Sequence, residues 1–165
     1  MVALRCTQRL LRRLRTDFAM EVPEAGNALG HRYANVLTFK RAPYVLALSE
    51  RSLLSVVLPG APFHTLPARF PAALAQLLHA LDVPESQVMT EVAETSPVVI
   101  ASTANRRVLG CLNQFAFELS MHFSDQPHTG LLERELWLSE NISSTIRYSV
   151  PREVALELLA TQRSH

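Results

Sequence analysis

Several groupings in this chain have residue types that could do chemistry. His122, Asp125 and His128 follow one another at steps of three, the kind of local cluster from which a metal site draws ligands. A metal needs three or four converging donors, however. These three fall where a helix ends and a Pro-containing loop begins, and a histidine at a helix C-terminus is favourable with no metal present. The structural role is therefore the expectation, and no metal or other cofactor is expected. Cys6 and Cys111 lack C-x-x-C spacing and read as buried thiols that pack as small hydrophobes. The histidines (His31, His64, His79, His122, His128 and His165) are not spaced to pair with a serine or cysteine, and no G-x-S-x-G elbow occurs. Glycine-rich phosphate loops are absent, and a single lysine, Lys40, removes the P-loop. No catalytic residue is named, and the reading leans away from an enzyme.

Two other groupings point to binding. A helical step of about 100° places Arg106, Gly110, Asn113, Phe117 and Ser120 in one stripe beside the apolar face of a long helix. A mid-helix glycine costs about 1 kcal/mol relative to Ala, so Gly110 suggests close approach of another backbone. Asn35 falls on the inner face of a strand and must find partners if buried. In the plainer reading, Gly110 admits the sheet while Asn35 and Asn113 satisfy buried backbone groups. The sharper reading is a polar pocket between sheet and helix, lined by Tyr33, Asn35, Arg106 and Asn113, that takes a small polar ligand. Separately, Arg9, Arg12 and Arg13 share one helix surface and could neutralise phosphates. No helix-turn-helix, zinc finger or RNP sequence accompanies them, so a solvated surface is favoured and nucleic-acid binding is the alternative.

The elements that must position these residues can be read from periodicity. Strands are expected near 2–6, 33–39, 44–48, 53–58 and 97–102, the middle three forming an antiparallel meander whose last two members, apolar on both faces, read as inner strands. Thr7 is placed to cap a helix over 8–15, with Leu10, Leu11, Leu14 and Phe18 at helical spacing. Residues 17–30, with Pro23, Gly26, Asn27 and Gly30, form a loop with freedom to move. Leu66, Phe70, Leu74, Leu77, Leu78 and Leu81 mark the clearest helix. Asp82 caps a second helix over 85–94, and Thr103 caps a long one over 104–124, whose stripe is Val108, Leu109, Leu112, Phe115, Ala116, Leu119 and Phe123. Residues 129–140 read as a helix rather than a strand. Ser149 and Pro151 start the last helix, with Val154, Leu158 and Leu159 inward. The expected fold class is α+β, a mostly antiparallel sheet covered by about five helices, in a single globular domain spanning 1–165.

Composition bounds the rest. The 165 residues are 48% hydrophobic and 19% charged, which excludes a disordered chain. A net charge of +1 advertises no global attraction to nucleic acid or anionic membrane. No run approaches the roughly 20 apolar residues of a membrane span, so no membrane partner is expected and a cytoplasmic location is. Residues 1–16 contain five arginines and no acid, a presequence-like composition. The apolar opening Val2-Ala3-Leu4 favours a strand and helix of the domain itself.

Four stretches, LRCTQRLLRRL, LGHRYANVL, YVLALSERSLLSVVLP and NRRVLGCLNQFAFEL, with a trailing SVPREVALELL, resemble a bacterial family of small proteins catalogued as a domain of unknown function, number 6933. The likeness covers nearly the whole chain, which favours one domain and argues against a cleaved leader. It implies no activity. His31-Arg32 stands where the family usually has an acidic or amide residue and Trp, and Cys111-Leu112 where it has a smaller residue and Met, so any site built on that indole would be altered here. The expectation is a soluble, non-enzymatic protein that binds a protein partner or a small polar ligand.

Overall fold

A computed structural model gives the fold; it describes residues 1–141, 146–147 and 149–162. In chain order the elements are β1 (Val2–Cys6), α1 (Gln8–Leu14), β2 (Arg32–Phe39), β3 (Ala42–Ser49), β4 (Ser55–Pro59), a 3-10 turn (Phe63–Thr65), α2 (Leu66–Ala80), α3 (Glu85–Thr95), β5 (Val98–Ser102), α4 (Arg106–Asp125), α5 (Leu131–Leu138) and α6 (Pro151–Gln162). The strands form one mixed, mostly antiparallel sheet in the order β4-β3-β2-β1-β5. β2, β3 and β4 are the expected antiparallel meander, and β1 runs parallel to both β2 and β5. The fold class is α+β, and the ambiguous stretch before residue 140 is the helix α5.

The pleat sends alternate residues to opposite faces, and each face has its own core. On the first face Leu4 and Cys6 of β1, Ala34 and Val36 of β2, Val45 and Ala47 of β3 and Val56 and Leu58 of β4 pack under α1, α2, α3 and α6. On the second, Tyr33, Leu37, Leu46, Leu48 and Val57 meet the stripe Val108, Leu112, Phe115, Leu119 and Phe123 of α4. That second core takes nothing from β1 or β5. Their half of the second face is crossed instead by irregular chain. This chain starts at the edge of β5, where Ala19 exchanges backbone hydrogen bonds with Ile100 and Ser102. It reaches the start of β2, where the Pro23 carbonyl accepts from His31.

Local chemistry moved several expected boundaries. Thr7 caps α1 as anticipated, its Oγ1 accepting from Leu10 N at 3.3 Å. The helix stops at Leu14 because Arg15 turns left-handed (φ 52°), so Phe18 is exposed rather than part of the apolar stripe. The turn after β3 runs through Leu54. Ser49 Oγ accepts from Arg51 N and Ser52 N, Leu53 N donates to Ser49 O, and Leu53 itself has φ 64°. β4 therefore begins at Ser55, and it is an edge strand, not an inner one. Asn105, not Thr103, caps α4, its Oδ1 accepting from Arg107 N and Val108 N. Asp82 has φ 59° and caps nothing; α3 starts after Pro84. The last helix buries Pro151, Ala155 and Leu159, with Val154 and Leu158 half-buried.

The 17–30 loop is pinned rather than free. Glu91 of α3 accepts from Asn27 Nδ2, Ala28 N and Leu29 N at 2.6, 3.0 and 3.2 Å. Ser49 Oγ donates to Leu29 O, and Arg51 donates to Asn27 O and Ala25 O. At Gly30 (φ +74°) a Cβ would lie 2.6 Å from Glu50 Oε1, so only glycine lets the loop both turn and close on that carboxylate.

Candidate functional site

A guanidinium taken out of water must be matched by a carboxylate or by several carbonyls. Among the described residues three arginines are nine-tenths or more buried: Arg5, Arg32 and Arg134. Two are matched. Arg32 NH2 lies 3.8 Å from Glu91 Oε1, both side chains being out of solvent, and Arg32 also donates to Gly30 O. Burial pushes the Arg32 guanidinium down to about 10, and neighbouring Glu91 and Glu50 oppose that fall. Arg134 donates to His122 O at 3.2 Å, Gln126 O at 2.9 Å and His122 Nδ1 at 2.9 Å. It thus sits on the negative end of α4, with its carbon 3.9 Å from the centre of the Phe123 ring.

Arg5 is different. It projects from β1 onto the second face, where no helix covers it. Among the described residues its one hydrogen bond is from NH1 to Ser102 O at 2.7 Å, and no carboxylate comes within salt-bridge distance. It lines a cleft of about 460 Å³ between the 22–24 segment, the turn after β3 and the N-terminus of α4. That volume suits a small molecule.

The other walls of the cleft are fixed by hydrogen bonds. Ala3 N donates to His31 Nδ1 at 3.0 Å, which leaves the Nε2 hydrogen to donate to Pro23 O at 2.7 Å. Both ring nitrogens of His31 are thus committed to backbone. Glu50 Oε1 accepts from His31 N at 2.9 Å; Oε2 has no hydrogen-bond partner among the described residues. Arg51 is held by Asn27 O and Ala25 O, and its NH2 is 4.0 Å from the exposed Glu24. Tyr33 Oη accepts from Asn105 N at 2.9 Å, fastening the start of α4 to the sheet at the cleft's edge. Val22, Pro23 and Val108 supply apolar lining.

The four residues expected to line one pocket are not brought together. Tyr33 is buried in the second core, and Asn35 is half-buried, accepting from Thr7 Oγ1 at 2.7 Å and from Val36 N. Arg106 and Asn113 are exposed on the outer side of α4, with Gly110, Phe117 and Ser120. Nothing lies within 4 Å of a Cβ built on Gly110, so it admits neither sheet nor any other backbone. The physical reason is that the stripe beside the apolar face turns away from the sheet, which α4 faces with Val108, Leu112, Phe115, Leu119 and Phe123, flanked by the partly buried Leu109, Cys111 and Ala116. Arg9, Arg12 and Arg13 are exposed on α1; Arg13 lies 4.6 Å over the Phe63 ring.

The remaining chemistry-bearing residues lie outside this cleft. His122 stacks on Trp137 with ring centres 4.3 Å apart, and burial with Arg134 beside it pulls its pKa below the usual imidazole value. Asp125 and His128 are exposed, and no group of three His, Cys, Asp or Glu able to hold a metal ion occurs among the described residues. His165 lies outside them. Burial pushes the Cys6 thiol up to about 12, which removes it as a nucleophile; Cys111 is half-buried. Among the described residues no helix is long and apolar enough to cross a membrane.

Sequence reasoning misses Arg5 because it groups with the arginines that follow it. The signal is there: Arg5 interrupts Val2-Ala3-Leu4-Arg5-Cys6, a strand otherwise made of small and apolar residues. Glu50 and Arg51 fall in the turn between the strands expected near 44–48 and 53–58, where nothing in their spacing marks them.

The family model described as a domain of unknown function, DUF6933, matches residues 3–154, and the chain belongs to that family. No curated protein and no solved structure matches it.

Proposed function

We propose that this DUF6933 protein is a binding protein and not an enzyme, and that the cleft floored by Arg5 takes a small ligand through an anionic group. The observation that carries this is the unmatched guanidinium. Arg32 faces Glu91, and Arg134 has three acceptors at the end of α4, although Arg32 NH2 and Arg134 Nε keep no hydrogen-bond partner among the described residues; Arg5 has one carbonyl and an opening. An anion delivered there gains the charge-assisted, two-pronged contact that a guanidinium offers, next to the positive end of α4. The non-enzymatic part is supported by His31, whose ring has no nitrogen left to move a proton.

Calorimetric titration with inorganic phosphate and with succinate tests this reading. At least one of the two binds the wild-type chain, and Arg5→Gln lowers its affinity about tenfold or more while Arg106→Ala and Asn113→Ala leave it unchanged. Binding that survives Arg5→Gln, or no binding of any anion-bearing small molecule, overturns it.

A further inference from the structure

The charges of the cleft can be paired off until two remain. Arg51 has Glu24 and two carbonyls. His31 has its two backbone partners. What is left is the Arg5 guanidinium on β1 and the Glu50 carboxylate on the turn after β3. The latter is near enough to Arg32 to act on its charge but, among the described residues, forms no ion pair and has no hydrogen-bond partner at Oε2. The two line one cleft, yet they form no ion pair with each other. Each is held in place by the fold. Arg5 is anchored through Ser102 O. Glu50 is anchored through the His31 amide and packed against Gly30, where any side chain would strike it. A cation and an anion fixed apart in a small cleft match a ligand that carries the opposite pair.

The geometry points to a small zwitterion, a free amino acid in chemical class, as the ligand. Its carboxylate meets Arg5 and its ammonium group meets Glu50. Val22, Pro23 and Val108 offer an apolar wall to its side chain. This rests on the reading of the cleft as an anion site and adds the second, acidic pole. The acidic pole also gives selectivity, because a plain dianion such as succinate brings a second negative charge against Glu50.

The test uses the whole chain and a set of the free amino acids, each compared with its N-acetyl form (anion only) and its amide (cation only), by calorimetric titration. At least one free amino acid binds about tenfold tighter, or more, than both of its blocked forms. Glu50→Gln keeps the acceptor for His31 N and should fold normally. It brings the free amino acid down to the level of its N-acetyl form and leaves the N-acetyl form unaffected. Arg5→Gln loses both, and Arg5→Lys recovers part of the binding. If a free amino acid and its N-acetyl form bind alike, or Glu50→Gln changes nothing, the zwitterion assignment fails and the anion reading stands. The zwitterion assignment alone also fails if only phosphate, succinate or N-acetyl forms bind. If no anion-bearing probe binds, or Arg5→Gln changes no affinity, both fail. Thermal melts of the variants, each within a few degrees of wild type, confirm that folded proteins are being compared.

Discussion

Arg5 and Arg32 sit one register step apart on paired strands, since Leu4 faces Arg32 and Arg5 faces Tyr33, and the pleat sends them to opposite faces of the sheet. On the first face, four helices close over the sheet and one of them brings Glu91 to Arg32. On the second face, the core under α4 draws on β2, β3 and β4 but not on β1, so Arg5 lies beyond its edge beside a cleft. The same side chain thus faces a carboxylate in one place and an opening in the other. The difference lies in what the layer above supplies, not in the strand. A charge that the fold has buried but not answered is where binding free energy remains to be gained.

Removing the charge from each site should break the two faces unequally. Glu91→Ala leaves Arg32 buried and uncompensated and takes the acceptor from Asn27, Ala28 and Leu29. It should cost about 3–5 kcal/mol of stability, read as a lowered midpoint in urea unfolding. Arg5→Gln deletes a charge that has no counter-ion, so stability should hold within about 1 kcal/mol or rise. Equal losses at both positions would mean that Arg5 is structural after all.

The two edges of the sheet give a second contrast, with a pH dependence. At β5 the edge is covered by backbone, through Ala19. At β4 it is covered by a side chain: Val57 N donates to Glu135 Oε2 of α5 at 2.7 Å. Burial pushes the Glu135 carboxyl up to about 8 from its ordinary 4.5, the bond from Val57 opposing that rise. A proton held more tightly in the folded chain stabilises the fold fully below the unfolded-state value, and this stabilisation is lost as pH climbs from 4.5 through about 8. Unfolding free energy should therefore fall across that window by up to about 1.4 kcal/mol per pH unit. Glu135→Gln, still an acceptor for Val57 N, should flatten the dependence and be the more stable protein at pH 8. An unchanged slope in that variant would assign the dependence to other groups.

These contrasts also mark what the sequence could say. The apolar stripes of α2 and α4 and the alternation of β2 are repeated signals along one element, and the element order follows from them. Boundaries slip where ordinary residues adopt left-handed backbone, as at Lys40-Arg41 between β2 and β3, Leu53 and Asp82. No glycine marks those turns, so nothing in composition announces them. The site is less legible for a related reason. Arg5, His31, Glu50 and Asn105 meet only because β1 enters the sheet parallel to β2 and β5. That pairing is set by long-range packing, not by any local pattern. Asn35 does need a partner, as its place on the strand implies, but the partner is Thr7, the cap of α1.

The smallest effect concerns the outer side of α4. Gly110 reads, from sequence, as a place where another backbone approaches. It is exposed, and a Cβ added there meets nothing within 4 Å. A glycine with that much room in the middle of a helix only loses conformational entropy on folding. Gly110→Ala should accordingly stabilise the chain by about 0.5–1 kcal/mol, seen as a rise of a few degrees in Tm. Because Gly110 is exposed on the outer side of α4 while Asn105 and the buried Val108 line the cleft, ligand affinity should not move with that rise. A loss of stability would return Gly110 to the packing of the fold, and a gain accompanied by weaker binding would tie the exposed stripe of α4 to the site on its inner side.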